Sequence, residues 1–211
     1  MNWDSEHYKL PNKWDSFSSE FIEDGGNYYS ESVIGYEYKQ RDYEPYFNSY
    51  AETAGYFLKL MLEEQKKHTA DVLFLPMCYL YRNGIELALK VILIKDLKDD
   101  FQERCKILSK KKHSIVGLWN SIRKLISDKY FANDDNADDY FDKISKCCNR
   151  LQNFDVNADI FRYPCKKDMT PYFVESKTFD YKNISEFMES IIQAIECLDY
   201  DISAKNDTIY C

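Results

Sequence analysis

The chain has 211 residues, 45% of them apolar and 30% charged, which is the balance of a globular protein with one domain as the default. A net charge of −8 excludes a surface that attracts nucleic acid throughout, so any RNA contact has to be made at a local basic site. Only six glycines and five prolines are present, which argues against a many-stranded sandwich or barrel and for long helices.

Residues 1–40 are rich in Tyr, Ser, Asp and Glu, with Gly25-Gly26 as a turn signal. They read as an arm, with a short helix near Trp14–Ile22, that either packs Trp3, Trp14 and Phe21 on the body or serves a partner. From Pro45 to Lys67 the pattern becomes helical: Tyr46, Tyr50, Ala54, Phe57, Leu58 and Met61 recur at steps of three and four. Pro45 suits a first turn, and Lys66-Lys67 suit the negative pole of the helix dipole.

Asp71–Leu97 is the most apolar stretch in the protein and reads as a buried central helix, antiparallel to the one before it. Pro76 marks either its start or a kink. Leu80, Ile85, Leu89 and Ile92 are its expected core residues. Arg82, Glu86 and Lys90 fall at i, i+4 and i+8, on one face, with Asn83 beside them. Charges on such a helix line a cleft or an interface, or pair with each other.

A short helix is expected around Phe101–Ile107. The run Lys110-Lys111-Lys112 is either a solvated loop or a basic patch. Ser114 is a candidate N-cap for a helix whose apolar face is Ile115, Leu118, Trp119, Ile122 and Ile126. An acidic connector, Asn133–Asp139, leads to a helix of about Ala137–Phe154 that buries Tyr140, Phe141, Ile144, Cys148 and Leu151. Pro164 and Pro171 then forbid a continuous helix, and Thr170–Tyr181 reads as a short hairpin or an extended excursion. The last helix spans about Ile184–Ser203, with Asn183 or Ser185 as cap and residues 206–211 as a frayed tail.

The fold class is therefore all-α: an up-and-down bundle of four to five long helices, over residues 41–205, with a short non-helical insertion before the last helix. Seven scattered cysteines without CxxC spacing point to free thiols in a reducing cytoplasm. The three histidines (His7, His68, His113) are far apart, so no metal site is expected, nor any cofactor. No apolar run reaches the roughly 20 residues of a membrane span.

The segments YLYRNGIELALKVILIK, KKHSIVGLW and FRYP, the last just before a final helix, resemble the HEPN superfamily (higher eukaryotes and prokaryotes nucleotide-binding domain). The likeness covers about Tyr46–Ser203. It implies a helical bundle, a form often dimeric in that family, and with the 18 tyrosines of the chain it makes a homodimer the expectation. It also implies either a metal-independent endoribonuclease of a toxin–antitoxin, phage-defence or RNA-processing system, or a non-catalytic module that binds RNA, a nucleotide or a partner protein. Active members carry Arg, a polar residue, and a His four to six positions after the Arg. Here Arg82-Asn83 supplies the first two, but none of the six arginines is followed by His at that distance. The chain is identified as a degenerate member, and the binding module is the first expectation.

If RNA is cut, a base, an acid and a cation for the phosphorane are needed. Arg82, Asn83, Glu86 and His113 are the catalytic candidates. Arg82, Lys90, Arg162 and Tyr163 are the ligand-binding candidates. The plainer reading makes Arg82–Glu86–Lys90 a self-satisfied ladder and His113 a helix-start residue. Charge accounting further expects Arg162 to contact Glu86 or Asn83, leaving Arg82 free for an anion.

Overall fold

The computed structural model describes residues 43–96, 101–132 and 134–209. The expected arm (1–40), Leu97 at the end of the central helix, and Tyr210-Cys211 of the tail lie outside these residues. Among the described residues six helices follow in order: α1 (Glu44–Glu64), α2 (Lys67–Asp96), α3 (Phe101–Lys111), α4 (Ile115–Tyr130), α5 (Asp135–Phe154) and α6 (Tyr181–Ile209). The result is an all-α helical bundle, and the described residues contain no strand beyond one isolated antiparallel bridge, Cys165 to Pro171.

Gln65 explains the first reversal. It adopts a left-handed conformation (φ 50°) and returns its N–H to the Met61 carbonyl, closing α1. α2 starts two residues later, at Lys67 rather than Asp71, so Lys67 opens α2 instead of closing α1. α1 buries Phe47, Ala54 and Met61, a seven-residue repeat, whereas Tyr46 is exposed. Where α2 passes Tyr50 and Ala51 of α1 it carries Gly84, and a methyl there would meet backbone at 3.7 Å. That is ordinary van der Waals contact, so the two helices run as close there as a methyl allows.

α2 is the hub, packing on α1, α3, α4 and α6. Met77, Ile85, Leu89, Ile92 and Leu93 are fully buried, and Leu80 is partly so. Its first third differs from expectation: Val72 and Leu75 are exposed, and Pro76 sits inside a continuous helix. Proline lacks the N–H that would reach the Val72 carbonyl, a loss best tolerated on the solvent side, where Pro76 lies.

α4 begins as the sequence predicts. Ser114 Oγ accepts the Gly117 N–H at 3.0 Å. Trp119 is buried with its indole N–H on Ser145 Oγ (2.7 Å) and its ring edge-on to Phe141. α6 is longer than expected, and its cap is Asp180, not Asn183 or Ser185. Asp180 Oδ1 accepts the N–H groups of Lys182 and Asn183, both at 3.1 Å. The non-helical segment makes its tight turn at residues 166–170, earlier than expected, with Met169 at φ 66°.

Leu89→Ala should cost about 2–5 kcal/mol in urea unfolding, because a fully buried leucine leaves a cavity; a loss below about 1 kcal/mol would contradict this packing. Burial also pushes the Cys78 and Cys148 thiols up to about 12, whereas Cys105 and Cys197 are exposed. Alkylation by iodoacetamide at pH 8 should mark Cys105 and Cys197 and spare Cys78 and Cys148 until the chain unfolds.

Candidate functional site

The polar residues of α2 meet the start of α4 and the end of α5. Glu86 is 2% exposed, and its carboxylate is the centre of the cluster. One turn before it, Arg82 donates Nη1–H to Oε2 at 3.2 Å; one turn after, Lys90 Nζ donates to Oε1 at 2.6 Å. His113 Nδ1 lies 3.1 Å from Oε1 and 3.3 Å from Oε2. The carboxylate thus has three cationic or potentially cationic neighbours, as a buried anion requires.

Arg82 is itself 2% exposed and bound on several sides. Its Nη2–H donates to the His113 carbonyl at 2.7 Å, and its Nε faces Asp155 Oδ2 at 3.8 Å, an ion pair beyond hydrogen-bond reach. Burial pulls this guanidinium below its usual range; Glu86 and then Asp155 oppose that pull. An arginine keeps its charge even so. Two carboxylates and one carbonyl therefore enclose a cation that does not reach solvent.

Asp155 was not legible as a site residue. It follows α5 directly, with its N–H on the Leu151 carbonyl, and its Oδ1 accepts the N–H groups of Asp159 (2.8 Å) and Ile160 (3.1 Å). One carboxylate oxygen shapes the turn after α5 and the other faces Arg82. The available signal was an acidic residue closing a helix just before a break, which also describes many surface caps.

Arg162 does not do what charge accounting expects. Among the described residues it donates Nε–H to the Ala158 carbonyl and Nη2–H to Asp159 Oδ1, both at 2.7 Å, and packs on Tyr163 and Tyr79. Glu86 is already satisfied by closer groups, so Arg162 stays in its own turn. Its field still reaches Arg82, where it adds to the downward pull. The expected roles are thus exchanged: Arg82 is built into the fold and Arg162 lies near the surface. Tyr163 is exposed, and Asn83 is half-buried on α2.

Of the sequence candidates, Arg82, Glu86, Lys90 and His113 converge on one carboxylate. The His113 side chain alone of these opens widely to solvent, at 66% exposure. Among the described residues no three His, Cys, Asp or Glu side chains are grouped to hold a metal ion, and no helix is long and apolar enough to cross a membrane. Comparison with known proteins finds no matching family model, no matching curated protein and no matching solved structure.

Removing a partner from a buried pair leaves an uncompensated charge, which costs about 3–5 kcal/mol, while a partly exposed pair contributes about 0–1 kcal/mol. Arg82→Ala should therefore destabilise the fold by about 3–5 kcal/mol and Arg162→Ala by no more than about 1 kcal/mol. Thermal melts in which Arg162→Ala is the more damaging change would reverse this assignment.

Proposed function

We propose that the chain is a HEPN-like, non-catalytic binding module that holds an anionic ligand, RNA or a nucleotide, in the cytoplasm. The burial of Arg82 is the observation that supports this reading. A cation that is to stabilise a phosphorane must touch the phosphate, and this one is enclosed by Glu86, Asp155 and the His113 carbonyl. The charges available to a ligand lie beside it instead. Lys110 and Lys112 are exposed, and in sequence they come just before His113, whose imidazole is exposed too. The wider reading carries further proposals: a homodimer, supported by the high tyrosine content (18 of 211 residues) and by exposed Tyr46, Tyr56 and Tyr200, and a protein partner in a toxin–antitoxin or phage-defence complex.

The alternative, a metal-independent endoribonuclease, has one observation in its favour. Glu86 can accept the Nδ1–H of His113, which turns Nε2 toward solvent as a proton acceptor for a ribose 2′-hydroxyl. The reaction further needs an acid for the leaving oxygen and a cation on the phosphate. Lys90, the lysine of the cluster, is committed to Glu86 at 2.6 Å.

The test is a labelled single-stranded RNA, followed in parallel by filter binding and by gel. Intact RNA should be retained, and binding should weaken with salt. Replacing Lys110, Lys111 and Lys112 together by Gln should flatten the log–log salt slope by about 2, since each phosphate contact on a single strand contributes about 0.7. Cleavage that disappears in His113→Asn would favour the ribonuclease, and failure to bind RNA or a nucleotide would sink both readings.

A further inference from the structure

A second feature lies on the far side of the Asp155 turn. An apolar groove of about 300 Å³ runs between α2, the end of α5, the segment before α6 and the first turns of α6. That volume is at the lower end of small-molecule pockets, roughly 300–1,000 Å³. Five phenylalanines line it: Phe74, Phe154, Phe161, Phe179 and Phe187. Their rings are set in mixed orientations. Phe74 stacks on Phe179 with centroids 5.2 Å apart, Phe154 stands edge-on to Phe179 at 6.1 Å, and Phe161 tilts against Phe154 at 5.7 Å. Walls built of phenylalanine rings suit a flat aromatic guest.

The groove is also fixed in place. Phe161 belongs to the turn that Asp155 closes through the Asp159 and Ile160 N–H groups, and Asp155 is itself held against Arg82. The single charged residue lining the groove is Arg150. It is exposed, it forms no ion pair among the described residues, and it precedes Phe154 by one helical turn. An arginine at the edge of an aromatic slot is complementary to a planar anion, and its fork fits a carboxylate in particular.

We propose that this groove binds a small aromatic carboxylate, with its ring among the phenylalanines and its carboxylate on Arg150. The site is separate from the anion-binding reading of the His113 edge and does not depend on it.

The test is calorimetric titration of the full chain with sodium 2-naphthoate and with neutral 2-naphthamide. Naphthoate should bind saturably, one per chain. Naphthamide should bind about tenfold more weakly or worse, as should naphthoate to Arg150→Gln, in keeping with loss of one charge-assisted hydrogen bond. Arg150 is exposed, so its replacement leaves the fold intact, as circular dichroism should verify. Ile184→Trp, which fills the groove, should abolish binding of both probes. The proposal is overturned by absence of saturable naphthoate binding, by equal affinity in Arg150→Gln, or by tighter binding of dodecanoate, which would assign the groove to an alkyl chain. A dimer mass in sedimentation that Ile184→Trp converts to monomer would overturn it too, because a second copy would then occupy the groove.

Discussion

A single buried carboxylate governs this structure. Glu86 sits on the most deeply packed helix, where an isolated anion would cost many kcal/mol, so cations must surround it. Arg82 and Lys90 come from the same helix face. His113 comes from the residue before the α4 cap, and its carbonyl holds Arg82 in turn. Arg82 then requires its own second anion, which Asp155 supplies from the end of α5. Satisfying one charge thus ties α2, α4 and α5 together at a common point.

The same chain of requirements reaches the two surfaces where function is proposed. Toward α4, the cluster fixes the His113 backbone and carboxylate contact while leaving the imidazole in solvent beside Lys112. Toward α5, it fixes Asp155, whose second oxygen organises the turn that carries Phe161 into the phenylalanine groove. A buried ion network contributes little net stability compared with apolar residues of the same shape. Its value here is positional: it sets where a polar edge and an apolar groove stand relative to one polar core.

The helices were legible because their signals are local. Ser114 and its apolar periodicity marked α4, the scarcity of Gly and Pro marked long helices, and the i, i+4, i+8 spacing placed Arg82, Glu86 and Lys90 on one face. His113 is legible as a candidate but its pairing with Glu86 is not, since 27 residues separate the two. The place of Asp155 and the partners of Arg162 are not legible in the sequence for one reason. Which acid meets which base across a core is decided by turn geometry, and the Asp155–Asp159 turn folds Arg162 onto its own neighbour. The Asp180 cap of α6 and the left-handed Gln65 are illegible on a smaller scale, because several adjacent residues could serve equally.

The central claim is that Arg82 and Glu86 are mutually dependent inside the fold. A double-mutant cycle on Arg82→Ala and Glu86→Ala, read by urea unfolding, measures that dependence directly. The buried cluster predicts a coupling of about 2 kcal/mol or more, since each single change takes from the other's buried charge one of its few partners. A coupling below about 0.5 kcal/mol, as solvent-exposed pairs give, would mean that the two residues do not hold one another and would contradict the account.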